Sequence, residues 1–196
     1  GYLLPHWPFR IPDQYFDRTS QLDECTFFGD GSCAHVAFGD PVSEGLRSLL
    51  FETANKMHQG KVHDGGTYVN MDGPAFSTRA ESLNNQKLGF DVIGMTNLPE
   101  AKLAREAEMA LATLSMVTDY DCWKIEEDPV TAETVIGHLK ANAQAAKKII
   151  PVVISRIPKE PNWPEHTALS NAILTDSSVW PEKTKLKLEP IIGRFL

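Results

Sequence analysis

An α/β fold is the class this 196-residue chain predicts, and three observations carry that expectation. Short apolar runs at 67–71, 90–95 and 111–118 read as strands, and segments of helical period lie between them. Gly65-Gly66 and Gly89 punctuate those changes of period. Neither an internal repeat nor an inter-domain linker interrupts the pattern, so residues 1–196 read as one domain. A chain of this length can bury about 70% of its unfolded surface.

The elements follow in order. Residues 1–40 are loop-rich, with Gly29, Gly31 and Gly39 among aromatic pieces and one short strand expected near 11–16. Ser43 offers an N-cap to a helix whose Leu46, Leu49, Leu50, Ala54 and Met57 keep helical spacing. After the strand at 67–71, a helix is expected over 78–88, stopped by Gly89 in the left-handed conformation. A strand at 90–95 leads to a helix through Met109, with Pro99 early in it, where its missing N–H is harmless. Residues 111–118 are apolar and small enough for a strand buried on both faces. Thr131 caps a long helix whose apolar stripe is Val135, Ile136, Leu139, Ala143 and Ala146. Pro151 kinks or ends it, leaving Val152-Val153-Ile154 open between helix and strand. Two further helices are expected near Pro164 and Pro181.

A net charge of −7 and a pI near 5.4 argue against a general nucleic-acid or anionic-membrane surface. Three cysteines make no even disulfide framework and read as free thiols of a cytoplasmic protein. No apolar run approaches the roughly 20 residues of a membrane span, and no secretory signal opens the chain. The first residue is Gly1, so the chain reads as processed or as starting partway through a longer frame.

Asp119-Tyr120-Asp121 is the most chemically suggestive stretch. If extended geometry persists past 118, both carboxylates face one way from the carboxyl end of a strand, where open α/β folds bind ligands. Two such acids resist ionising together, so one can donate a proton while the other accepts. That pairing suits a 6-aminopurine edge, with acceptor N7 beside donor N6. A solvated turn or an N-cap explains the spacing equally well. Met95 and Thr96 sit at a strand-to-helix passage where backbone N–H groups and a hydroxyl can hold an anion or a sugar. Phe76 can stack on a base with Ser77 beside it, or it is core and Ser77 a cap. His35 lies in a Gly-rich aromatic loop, as a ligand contact or simply solvated. No metal-ligand spacing, Walker loop, GxSxG elbow or GxGxxG fingerprint occurs.

Three segments together are more specific than any one alone. Gly-Pro-Ala-Phe-Ser-Thr-Arg-Ala-Glu-Ser (73–82), Met-Thr-Asn-Leu-Pro-Glu-Ala-Lys (95–102) and Met-Val-Thr-Asp-Tyr-Asp-Cys-Trp (116–123) occur in that order. This closely resembles the S-methyl-5'-thioadenosine phosphorylase family, in the trimeric branch of the purine nucleoside phosphorylases and in its bacterial or archaeal form. The resemblance runs from Ile11 to the C-terminus. It implies a central mixed sheet flanked by helices, incomplete at the N-terminal side.

The activity it implies is phosphorolysis of methylthioadenosine, with phosphate as co-substrate and no cofactor. Asp119 would meet N7 and Asp121 the N6 amine, with Thr118 beside them. Relatives selective for 6-oxopurines carry Asn at the first position, so the acid implies 6-amino selectivity. Phe76 matches the residue packed on the base, with Ser77 in the adjacent turn. Met95 lies under the ribose, and Thr96 is a hydroxyl to phosphate or sugar. Val130, Val135 and Ile136 would close over the purine and methylthio group. His35 would be lent to a neighbouring subunit of a homotrimer. The family's Gly-rich phosphate loop and its Arg-His grip are missing here, which implies an N-terminally truncated chain, weak or inactive by itself. A broader purine nucleoside phosphorylase and a non-catalytic purine-binding remnant are the competing expectations.

Overall fold

In the computed structural model, residues 8–20, 25–124 and 132–196 are described, with side chains of the last stretch from 136 onward. The strand expected at 11–16 is two strands, β1 (Phe9–Ile11) and β2 (Gln14–Asp17), because Pro12 has no N–H for a ladder. They enter different sheets. In the first, β1 runs parallel to β3 (Val62–Asp64) and antiparallel to β6 (Ser115–Met116). In the second, β2, β4 (Thr67–Asn70) and β5 (Val92–Gly94) are all parallel. The β3–β4 link makes the same change of sheet at Gly65 and Gly66, whose φ of 71° and 107° suit only glycine. Asp13 Oδ1 accepts the Gly66 N–H at 2.8 Å, so the two breaks are joined.

Ser43 caps α1 (Glu44–Met57), accepting the Leu46 N–H as its position predicts. Leu50 and Ala54 are buried and Leu46 and Leu49 partly so, whereas Met57 at the end of the stripe is exposed. These residues pack with Phe9, Ile11, Val62, Ile149 and Val153, which places the first sheet against α1 and α4 (Ala132–Arg156). A second cluster joins Phe28 to Leu169, Ala172, Trp180, Leu188 and Ile192, so α5 (Glu182–Ile192) closes over the loop-rich part of 25–40.

Thr78 caps α2 (Arg79–Lys87) through a reciprocal box with Glu81, and Gly89 is left-handed, both as expected. α3 (Glu100–Glu106) ends before Met109 because Glu108 takes φ 56°, from where its carboxylate accepts the Leu169 N–H at 2.9 Å.

Three further expectations are corrected and one left open is settled. The strand expected at 111–118 shrinks to β6, because β1 pairs only with Met116 and Ser115. Residues 111–118 are half-buried, not covered on both faces, and the Leu111 carbonyl accepts from Ser43 instead. α4 passes through Pro151 to Arg156, so Val152-Val153-Ile154 is helical. Pro151 faces solvent, as does Lys147 one turn before it, whose carbonyl the proline cannot pair, so that carbonyl is open to water. The buried face of α4 is His138, Asn142, Ile149 and Val153, one step round from the expected stripe, and Ile136 and Leu139 are exposed. The helix expected near Pro164 is a single 3₁₀ turn, Pro164–Thr167.

Lys102 Nζ reaches Asp17 Oδ2 at 2.5 Å and ties α3 to the end of β2. Partial burial opposes ionisation of Asp17, but the bonds from Lys102 and Thr19 outweigh it and hold its carboxyl below the ordinary value. A depressed folded pKa stabilises above the unfolded value and is lost as pH falls through the folded one. We therefore expect the thermal midpoint to drop on acidification below about pH 4. Asp17→Asn should flatten that slope; an identical slope in the variant would remove this pair from the account.

Candidate functional site

The carboxyl ends of the second sheet lie in one row, since Asp17 is in register with Asn70 and Asn70 with Gly94. Two loops leave that row. The first, 71–78, begins with the Met71 N–H donating to the Gly94 carbonyl at 3.0 Å. The second carries Met95 and Thr96 toward α3. The two loops touch at Gly73, where an added Cβ would sit 2.6 Å from Met95 Sδ and φ is 71°. Glycine is therefore favoured there by conformation, and any side chain would also push the end of Met95 aside.

Asn70, fully buried, governs how the second loop turns. Its Oδ1 accepts the N–H groups of Asn97 (2.9 Å) and Leu98 (3.1 Å), and its Nδ2 donates to the Leu98 carbonyl at 3.3 Å. Asn97 Oδ1 accepts from Thr113 Oγ1 at 2.8 Å, and Thr113 contacts the Tyr15 hydroxyl at 2.7 Å. Burial pushes Tyr15 up to about 12, the Thr113 bond opposing only in part, so Tyr15 stays a neutral donor. The chain of donors runs Tyr15 to Thr113 to Asn97. Asn97 lies in the 95–102 segment, but nothing in the sequence marks Asn70, Tyr15 or Thr113 as its partners.

Asp119 is half-buried and both its oxygens are occupied. Oδ2 accepts from Thr118 Oγ1 and Oδ1 from the Asp121 N–H, each at 2.8 Å. Asp121 takes φ 59° and opens a 3₁₀ turn, Asp121–Trp123. The expected extended geometry therefore ends before the acids, and strand alternation does not align them. The physical cause is local: an aspartate that bonds the backbone two residues on bends the chain into a turn. The turn reading is correct as geometry, and the acids are still held at the end of β6.

That turn packs on the start of α2. Cys122 Sγ donates to the Ser77 carbonyl at 3.5 Å, and Arg79 Nε donates to the Cys122 carbonyl at 3.4 Å. Ser77 is half-buried, its hydroxyl donating to Met71 Sδ at 3.7 Å, and neighbouring Phe76 is 85% exposed. Phe76 is thus not core. Asn142 on α4 anchors the other side of the turn by donating to the Val117 carbonyl at 3.2 Å. The structure so brings Thr118, Asp119, Asp121 and Ser77 together, with Phe76 beside Ser77. Met95 and exposed Thr96 join them through Gly73 and the 71–78 loop.

Other expected positions fall apart from this group. His35 is exposed, with Nε2 4.0 Å from Cys33 Sγ. It lines a cavity of about 430 Å³ with Cys33, Phe38, Lys102 and Glu106, away from the acids. Ile136 is half-exposed on α4. Val130 and the side chain of Val135 lie outside the described residues. The described residues contain no cluster of three metal-ligating side chains and no helix long and apolar enough to cross a membrane.

Parallel strands whose carboxyl ends lead into the Phe76-Ser77 and Met95-Thr96 loops, with the Asp119 turn following β6 of the other sheet, define an α/β protein. The phosphorylase superfamily model matches residues 9–155. The chain belongs to the phosphorylase superfamily. It is 47% identical over 186 residues to the S-methyl-5'-thioadenosine phosphorylase of Geobacter sulfurreducens, and 49% identical over 189 to that of Thermosynechococcus vestitus. Each alignment covers 95% of this chain and 65% of the relative, so the chain spans a little under two thirds of those proteins. Among solved structures, a methylthioadenosine phosphorylase from an antarctic soil metagenomic library superposes with TM-score 0.88 at 42% identity, covering 96% of this chain and 66% of that one. An adenine complex of the Schistosoma mansoni methylthioadenosine phosphorylase follows at TM-score 0.73 and 26% identity, covering 95% of this chain and 65% of that one. The resemblance read from the three motifs thus extends over nearly the whole chain, and its mixed α/β architecture is the expected one.

Proposed function

We propose that this chain is the larger part of an enzyme that phosphorolyses S-methyl-5'-thioadenosine to adenine and S-methyl-5-thioribose 1-phosphate. The observation that carries the reading is the clasp between the two site walls. Asp119 and Asp121 are held against the Phe76-Ser77 wall by the Cys122 and Arg79 bonds, in a chain close to half identical to enzymes of that name.

In the reaction the bond from C1' to N9 breaks, and a phosphate oxygen bonds to C1'. The purine leaves with the electron pair, and a proton delivered to N7 makes it a better leaving group. Asp119 supplies that proton and Asp121 accepts from the N6 amine. Thr118 holds Asp119 in place, and Phe76 covers the base with Ser77 beside it. Met95 underlies the ribose, and Thr96 binds sugar or phosphate. Val130, Val135 and Ile136 close over the purine and the methylthio group. His35, set apart from the acids in its own chain, serves a neighbouring subunit's site, so the working form is a homotrimer. No cofactor takes part, and the enzyme is cytoplasmic.

The chain spans a little under two thirds of those relatives, and the resemblance puts the family's phosphate grip in the remainder. The 196-residue chain by itself is therefore expected to bind adenine and turn over little. A broader purine nucleoside specificity is favoured by one observation: a structural neighbour, 26% identical, is named an adenosine/methylthioadenosine phosphorylase. The test is phosphate-dependent release of the purine base by the full gene product: adenine from methylthioadenosine and adenosine, hypoxanthine from inosine. We expect kcat/KM for methylthioadenosine to exceed that for adenosine, with inosine lower still. Equal values would favour the broader enzyme, and no release from any of the three would refute the reading.

A further inference from the structure

Met95 and Thr96 are bracketed. Gly94 before them is fixed by the β4–β5 ladder, and Asn97 after them is fixed by a side chain, that of Asn70. Only two residues lie between the fixed points, so the Asn70 side chain decides what path they take. Asn70 is also the last residue of β4, and Met71 next to it begins the loop that carries Phe76 and Ser77. Its amide uses both ends: one oxygen holds two N–H groups and the nitrogen holds a carbonyl. A fully buried side chain with three bonds in one orientation has no freedom to drift.

We propose that Asn70 is a positioning residue that fixes the Met95 and Thr96 turn at the ribose side of the site, acting through the Asn97 and Leu98 backbone. This rests on the proposed purine-nucleoside reading for the identity of the ligand, but not for the geometry. The ladder bonds of β4 are backbone bonds, so they survive loss of the side chain while the turn does not. The Tyr15–Thr113–Asn97 relay holds the Asn97 side chain from the opposite direction. It leaves the Asn97 and Leu98 N–H groups to Asn70 alone among the described hydrogen bonds.

The test has two readouts on the chain with Asn70→Ala. Amide exchange followed by NMR should accelerate by about tenfold or more at Asn97 and Leu98, while the Met71 N–H, bonded to Gly94, keeps its protection. Calorimetry should show the Kd of methylthioadenosine rising about tenfold with that of adenine unchanged, because adenine touches only the Phe76 and acid-pair walls. Asn70→Asp keeps an acceptor for both N–H groups but loses the donor to the Leu98 carbonyl, so it should restore part of their protection and of the affinity for the nucleoside. If the alanine variant does not fold, Asn70→Ser gives the same readouts, since serine is too short to span both amides. Protection retained at Asn97 and Leu98 would overturn the proposal. Parallel weakening of both ligands would also overturn it, showing general support of the fold. If the unsubstituted chain binds neither ligand, the purine reading fails, and amide exchange still decides what Asn70 does.

Discussion

Asp119→Asn is expected to slow adenine release from methylthioadenosine by about 10²- to 10⁴-fold in the full gene product, the usual contribution of a positioned general acid. The turn should survive the change. The new amide oxygen accepts the Asp121 N–H as Oδ1 does now, and the Thr118 hydroxyl, a donor at present, rotates to accept from the amide nitrogen. What disappears is the ability to deliver a proton, because an amide N–H still donates a hydrogen bond to N7 but does not transfer it. The split is therefore sharp: kcat falls by orders of magnitude while the Kd of adenine moves less than tenfold. Measured kcat within a factor of a few of the unsubstituted enzyme would take the acid role from Asp119. A matched loss of adenine binding would make it a binding group instead.

How much of this was legible in the sequence depends on where each residue finds its partners. Elements whose determinants are local were readable: the Ser43 and Thr78 caps, Gly89, and the short apolar runs that become β4 and β5. The strand expected at 111–118 was not, because a strand exists only where a neighbour supplies rungs, and β1 supplies two. The same holds for α4, where helical period allows adjacent stripes and packing on α1 and β1 selects the one ending in Ile149 and Val153. In the site, Asp119 and Asp121 were readable as chemistry from their motif. Their geometry was not, because one aspartate's bond to the backbone two residues on replaced strand alternation with a turn. Asn70 was unreadable altogether. Its partners, Asn97 and Leu98, lie 27 and 28 residues away, and nothing in a single asparagine announces them.

The largest stability effect should come from Phe9→Ala, with an expected loss of about 3–5 kcal/mol. Phe9 is fully buried among Ile11, Leu50, Ala54, Val62, Ile149 and Val153, and its ring stacks on His58 at 3.8 Å. Truncation removes the aromatic contact and leaves a cavity between the first sheet, α1 and α4. Against a typical total of about 5–15 kcal/mol, that change alone brings such a domain near its unfolding threshold. The consequence reaches the site, because Phe9 is also the rung opposite Met116, three residues before Asp119. Neighbouring Pro8 contributes its carbonyl to the Val117 N–H at 3.3 Å, so the backbone leading into the acid turn hangs from β1. Urea denaturation should show a lower midpoint for the alanine variant. Adenine affinity should fall in parallel with the folded fraction, and Phe9→Leu should recover most of both by refilling the volume. An unchanged midpoint would mean that the first sheet does not depend on this core. A lost affinity at full folded fraction would mean that β1 aims the acid turn directly, beyond holding the sheet together.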